Sequence, residues 1–260
     1  MAWALITGAS SGFGRDFARL AALEGYDLIL TARRREPMEA LAAEFTAAGR
    51  TNKVEIITAD LSQHGAAQAL WSEATEGREI EVLVNNAGLG THGLHGDDPE
   101  AARALIAVNV TSANELAMAA MSTFRARGTG GKILMVASLA AYFPAPTMAA
   151  YHASKAFMLN LSNALNIEGK PDRITVTAFC PGATETGFFD AAAMGETWLT
   201  RMMPPADSAK LAETAWRGMM RGRRNVIPGV MPNLTAFASR FLPGGLSARL
   251  NQFFWTETGE

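Results

Sequence analysis

The chain has 260 residues, a formal net charge of −2 and 48% apolar residues. That length suits one large α/β unit or two small ones with a large buried core, and the nearly balanced charge removes the electrostatic basis for a nucleic-acid-binding face. Cys180 is the single cysteine, which excludes an intrachain disulfide and a cysteine metal cluster and points to a reducing, cytoplasmic setting.

The amino terminus, MAWALITGASSG, enters a strand-like run at once and lacks the charged flank and long apolar core of a signal peptide. No uncharged run of about 18 apolar residues occurs, so no transmembrane segment is expected. Ala2–Thr7 predicts a strand that ends at Gly8, and Phe13–Leu23 predicts an amphipathic helix. The pattern repeats, with strands expected at Asp27–Ala32, Val54–Ala59, Val82–Val84, Lys132–Ala137 and Ile174–Phe179. Helices are expected between them at Pro37–Ala48, Ala66–Thr75, Glu100–Arg127 and Ala149–Glu168. Strict alternation with apolar, β-branched strands implies an α/β fold: one doubly wound parallel sheet with helices on both faces, spanning residues 1–260 as a single domain without a linker.

After Pro181 the alternation loosens. Residues 187–205 mix Phe188, Phe189, Met194 and Trp198 with Gly195 and two prolines, which predicts a lid over a pocket. Lys210–Arg221 returns to helix, and Asn225–Ile227 predicts a last strand. The apolar and basic tail, 233–255, repeats large apolar residues at helical intervals around Pro243-Gly244-Gly245. Two readings of the tail stay open: docking on the domain or on another subunit, and peripheral contact with a membrane surface.

The first loop, Thr7-Gly8-Ala9-Ser10-Ser11-Gly12-Phe13-Gly14, lies between a strand and a helix, where backbone N–H groups and the helix dipole receive a pyrophosphate. The end of the second strand then discriminates between dinucleotides. A carboxylate there would accept from the adenosine ribose, whereas Arg33 and Arg34 offer cations to a 2′-phosphate, favouring NADP(H). Arg35 fits better as the solvated start of the next helix.

Ser138 follows the fifth strand, and Tyr151 and Lys155 stand four residues apart in the next helix. That spacing places their Cβ atoms about 5–6 Å apart. The lysine should pull the phenol from its usual pKa near 10 toward neutrality, making Tyr151 a general acid/base.

Together, TGASSGFG, Asp60-Leu61, Asn85-Asn86-Ala87-Gly88, Asn109 within VNV, Ser138 with Tyr151-x-x-x-Lys155, and Pro181-Gly182 resemble the short-chain dehydrogenase/reductase family over about residues 3–186. The resemblance implies a Rossmann-type fold and hydride transfer between NADP(H) and a ketone, aldehyde or 3-oxoacyl group. It implies that Ser138 orients the substrate oxygen, that Tyr151 transfers the proton, and that Lys155 lowers the tyrosine pKa and holds the nicotinamide ribose. It further implies that Asn109 anchors a proton-relay water, that Asp60 and Leu61 meet the adenine, and that Asn86, Ala87 and Gly88 lie along the ribose. Pro181, Gly182, Thr184 and Thr186 would grip the carboxamide. Members of the family are often dimers or tetramers through the helices expected here at Glu100–Arg127 and Ala149–Glu168.

The apolar residues after Ser138, from Leu139 to Phe143, and those of the lid suggest a lipophilic small-molecule substrate. Two rivals remain, a dehydratase or epimerase on the same fold and an NADP-sensing binding protein without turnover. His92 and His95 have no evident third ligand, so no metal site is expected. His152 and Cys180 read as structural.

Overall fold

The computed structural model describes residues 2–182, 184 and 206–255, the last three of these by backbone alone. Seven strands form one parallel sheet: β1 (Trp3–Thr7), β2 (Asp27–Ala32), β3 (Val54–Thr58), β4 (Ile80–Asn85), β5 (Gly131–Val136), β6 (Ile174–Phe179) and β7 (Asn225–Val226). Their spatial order, β3-β2-β1-β4-β5-β6-β7, reverses direction between β1 and β4. Open α/β sheets bind ligands outside the carboxyl ends of their strands at that reversal.

Period-two alternation divides each strand between two cores. Trp3 and Leu5 of β1 join Ile29, Leu83 and Ile133 on one face, whereas Ala4 and Ile6 join Leu28, Val82 and Leu134 on the other. The first face is covered by α3 (Ala66–Thr75), α5 (Ala113–Arg127) and α6 (Ala149–Glu168), the second by α1 (Gly12–Leu23), α2 (Glu36–Ala47) and α7 (Ser208–Met220). The expected doubly wound architecture is observed, and β4 is longer at both ends than Val82–Val84.

The expected helix at Glu100–Arg127 is not uniform. It opens as α4 (Pro99–Ile106), where the Asp98 side chain accepts from the Ala101 N–H at 2.9 Å and caps the end. It then widens into a π-helical turn at Ala107–Ser112 before continuing as α5. Apolar periodicity does not reveal such a turn, because the extra residue is accommodated without a break in hydrophobicity. By length and composition the run Pro99–Arg127 could cross a bilayer, but half of its most apolar window is buried within the fold. Leu116, Ala120 and Phe124 are core residues there, and the segment is a core helix.

The tail forms two helices, α8 (Val230–Ala238) and α9 (Gly244–Trp255). Of the two readings, docking on the domain is observed for α8, which packs against the 3₁₀ turn Leu139–Tyr142 that follows β5. The lid at 187–205 and Thr186 lie outside the described residues.

The first loop is packed too closely to admit side chains at two positions. Gly8 adopts φ +67, and a Cβ on Gly14 would fall 2.1 Å from the Gly8 carbonyl oxygen and 2.9 Å from Ala9 Cα. These obstacles are backbone atoms that no rotamer change can move. Gly14→Ala is therefore expected to destabilise the protein by about 3 kcal/mol, the upper end for overpacking, as measured by urea unfolding. A midpoint equal to that of the unmodified protein would show that the loop relaxes freely.

Candidate active site

The carboxyl edge of the sheet is assembled by one threonine. Thr7, the last residue of β1, accepts from the backbone N–H groups of Asn86 and Ala87, each at 2.9 Å, and donates to the Val84 carbonyl at 3.3 Å. Asn86 returns the contact: its side-chain amide donates to the carbonyls of Thr7 at 2.8 Å and Gly8 at 3.3 Å. The glycine loop after β1 and the Asn86-Ala87-Gly88 turn after β4 are thereby locked together. Thr7 was not singled out from the sequence, because its role depends on a strand that is 77 residues away and adjacent only in the fold.

A cavity of about 940 Å³ opens above this edge. Gly8, Ser10, Ser11, Gly12 and Phe13 border it on the β1 side, and Arg33, Arg34, Asp60 and Leu61 border the next section. Asn86, Ala87 and Gly88 form its floor, with Ser138, Tyr151 and Lys155 beyond them and Pro181, Gly182 and Thr184 at the β6 end. Gly14 and Asn109 support the wall from behind. The structure thus brings together every candidate residue that it describes.

The charged groups at the β2 end divide as the sequence suggested. Arg35 pairs with Glu39 at 2.7 Å and donates to the Ile56 carbonyl. Arg33 and Arg34 border the cavity and make no ion pair among the described residues. Hydrogen bonds from Ser62 hold the Asp60 carboxyl below the usual range despite partial burial. Two cations border this concave surface, beside backbone N–H groups at the start of α1 that could receive the pyrophosphate of a dinucleotide.

At the other end, Tyr151 and Lys155 project from α6 and are 7% and 5% exposed. Lys155 Nζ donates to the Val136 carbonyl at 2.9 Å and stands 5.7 Å from the Tyr151 ring centroid. Burial pushes the phenol up to about 12, and its hydrogen bond with Ser138 recovers only part of that. Burial also pushes the ammonium down to about 8. The expected fall of the tyrosine pKa toward neutrality is therefore not what this environment produces. Desolvation of the phenolate dominates, and the ammonium, aimed at the Val136 carbonyl, does not offset it. The arrangement holds a protonated phenol beside a cation, with the Ser138 hydroxyl next to it.

Asn109 lies inside the π-helical turn. Its side chain accepts from the Leu89 N–H at 2.8 Å and donates to the Leu89 carbonyl at 2.9 Å and to Ser154 Oγ at 3.1 Å. These bonds pin the loop after β4 to α6 and use both amide donors, while Oδ1 keeps a second acceptor site. Gly88 faces both Asn109 and Lys155: a Cβ there would stand 3.4 Å from Asn109 Oδ1 and 3.5 Å from Lys155 Nζ. Thr147, at φ +63, turns the chain into α6, and its carbonyl accepts from the Gly93 N–H at 2.9 Å.

His152 Nδ1 lies 2.8 Å from the Phe143 carbonyl, and burial lowers its pKa, as befits a structural ring. Burial pushes the Cys180 thiol up to about 12, leaving it unreactive. His92 and His95 belong to no metal-binding cluster among the described residues. The wall that sequence reasoning missed comes from the tail. Met231, Leu234 and Leu242 from α8 and the turn after it, with Ser247, Leu250 and Asn251 from α9, border the cavity. Their helical spacing was visible, but spacing does not say which surface a stripe meets.

A model of the short chain dehydrogenase family matches residues 2–196 of the chain. The chain belongs to the short-chain dehydrogenase family. Sulfoacetaldehyde reductase 2 of Chromohalobacter salexigens is 35% identical over 189 residues, which are 71% of this chain and 73% of that protein. A short-chain dehydrogenase from Sphingobium yanoikuyae, solved in complex with NADPH, is 32% identical with a TM-score of 0.82, covering 93% of this chain and 94% of that one. The bulky-bulky ketone specific alcohol dehydrogenase from Comamonas testosteroni is 29% identical with a TM-score of 0.77, covering 93% of each chain. As a member of this family the protein is an oxidoreductase of alcohol and carbonyl groups.

The Thr7 clamp supplies a direct check on how this short-chain dehydrogenase assembles its site. Thr7→Val removes the acceptor shared by two backbone N–H groups and should cost about 2–4 kcal/mol in urea unfolding, with Thr7→Ser recovering most of it. Equal losses in both variants would mean that the methyl group, rather than the hydroxyl, supports the edge.

Proposed function

We propose that the protein is an NADP(H)-dependent reductase of a lipophilic ketone, aldehyde or 3-oxoacyl compound, with Tyr151 as general acid/base. The observation that carries this reading is the convergence on one cavity of the glycine loop, the unpaired Arg33 and Arg34, and the buried Ser138, Tyr151 and Lys155. Two relatives support its parts: one is solved with NADPH and another acts on bulky ketones. The apolar wall made by Met231, Leu234, Leu242 and Leu250 supports a substrate with substantial apolar surface.

Bound at the glycine loop with its 2′-phosphate on Arg33 and Arg34, NADPH would supply the hydride. Asp60 and Leu61 would meet the adenine, Asn86 to Gly88 the ribose, and Pro181, Gly182, Thr184 and Thr186 the carboxamide. Ser138 donates to the substrate carbonyl oxygen and holds it beside the phenol. Tyr151, kept protonated by burial, gives its proton to that oxygen as negative charge develops there. Lys155 would stabilise the phenolate left behind, and a water anchored at Asn109, within the widened turn, would link the lysine to solvent for reprotonation. In alcohol oxidation the same groups run in reverse.

The setting we propose is the cytoplasm. Exposed Met118, Phe157 and Ile167 on α5 and α6 support assembly into a dimer or tetramer through those helices.

The deciding experiment follows absorbance decay of NADPH and of NADH against a panel of short and bulky ketones, aldehydes and 3-oxoacyl thioesters. NADPH should be oxidised faster, and Arg33→Ala/Arg34→Ala should raise KM for NADPH far more than for NADH. Tight NADPH binding with no turnover would instead support a sensing protein. Conversion of substrate without net cofactor loss would support a dehydratase or epimerase.

The pKa shifts set a second expectation. Reduction requires Tyr151 and Lys155 both protonated, so activity is lost as pH rises, and the limiting group is the lysine, pushed to about 8. The pH profile of kcat/KM for reduction should be flat near neutrality with an alkaline limb near pH 8, whereas the phenol, up at about 12, adds none in that range. Tyr151→Phe should leave NADPH affinity unchanged and lower kcat by about 10²–10⁴-fold. A profile level across pH 8, or near-normal turnover in the variant, would remove these assignments.

A further inference from the structure

The tail helices have a second face. Eight of the fourteen exposed large apolar side chains among the described residues lie between Val230 and Leu250. Those that turn toward the cavity are accounted for above, but Val230, Phe237, Phe241 and Leu246 do not border it and are 84%, 57%, 71% and 51% exposed. Phe237 and Phe241 stack edge to face at 5.3 Å, so the outer face is an aromatic ridge and not a set of scattered residues. A ridge of this kind on a soluble surface calls for a covering partner.

Charge decides which partner. Between residues 214 and 256 the sequence carries six arginines and no aspartate or glutamate. Arg217 pairs with Glu213, whereas Arg221, Arg223, Arg224, Arg240 and Arg249 are exposed and make no ion pair among the described residues. Arg224 and Arg240, sixteen positions apart, both act electrostatically on Tyr142, which places them in one neighbourhood beside α8. A second copy of the chain meeting this surface about a two-fold axis would set arginine against arginine, with no carboxylate on either side to compensate. An anionic lipid surface matches both the apolar ridge and the unpaired cations.

We propose that the outer face of α8 and α9 docks the protein on anionic bilayers, with Phe237 and Phe241 entering the headgroup boundary and Arg240 and Arg249 meeting lipid phosphates. The inner face of the same helices borders the cavity, so docking presents the cavity wall to the membrane phase. The binding itself does not depend on the reductase reading.

The test is flotation of the purified full-length protein with vesicles of phosphatidylcholine alone and of phosphatidylcholine mixed with phosphatidylglycerol, with light scattering of the protein without lipid. Partitioning should occur on the mixed vesicles and fall with added salt. Phe237→Ser/Phe241→Ser and, separately, Arg240→Gln/Arg249→Gln should each weaken it at least about tenfold. Cooperative thermal unfolding checks the fold of both variants. Should the aromatic variant misfold, the arginine variant decides, since its side chains are exposed and unpaired. Absence of binding to the mixed vesicles, or equal binding to phosphatidylcholine alone, overturns the proposal. So does self-association that the aromatic variant abolishes without any vesicle binding, which would identify a second copy as the occupant.

Discussion

An ammonium ion held nearly out of water is the constraint on which the rest of this structure depends. Lys155 is 5% exposed, and desolvation costs its charged form enough to bring its pKa to about 8. Its surroundings are built to keep it where it is. The Val136 carbonyl at the end of β5 accepts its proton, Gly88 leaves room for its head, and Asn109 fastens the neighbouring loop to α6. A Cβ at Gly88 would already be in van der Waals contact with the ammonium, at 3.5 Å. The π-helical turn, the absence of a side chain on Gly88 and the strand-end carbonyl answer one requirement.

The cofactor end rests on a different kind of interaction. There close backbone packing sets the shape of the first loop, as the space around Gly8 and Gly14 shows. Asn86 donates to Thr7 through both its backbone N–H and its side-chain amide across the β1–β4 boundary, which ties the two loops together. At the rim Arg35 pairs with Glu39, whereas Arg33 and Arg34 make no ion pair among the described residues, Arg33 acting only through its charge on Asp60. In the NADP(H) reading proposed above, a cradle of this shape with two cations at its edge would meet a phosphate by shape first and charge second.

Between these ends, α8 and α9 act as a wall with two faces. Helical geometry gives each helix two stripes, and here neither is fully covered by protein. The inner stripe meets the cavity, and the outer carries aromatic residues among unpaired arginines. If the docking proposed above holds, the substrate range and the location of the protein are coupled through the same short segment.

Much of this was legible in the sequence, for physical reasons that differ from residue to residue. Alternating β-branched and helical segments determine a parallel α/β sheet, because such strands can be buried on both faces only by crossover helices. The glycine spacing after β1, Ser138, and the four-residue step from Tyr151 to Lys155 are local patterns, so the residues that gather at the cavity could be named from the sequence. The tertiary structure decided what depends on distance and dielectric. Whether Lys155 lowers the pKa of Tyr151 depends on burial and on where its proton points, and neither is encoded in spacing. Thr7 gains its role only when β4 lies beside it. The apolar stripe of α8 has the same period whether it faces a core, a ligand or a membrane, and only folding against the turn after Ser138 assigns its faces.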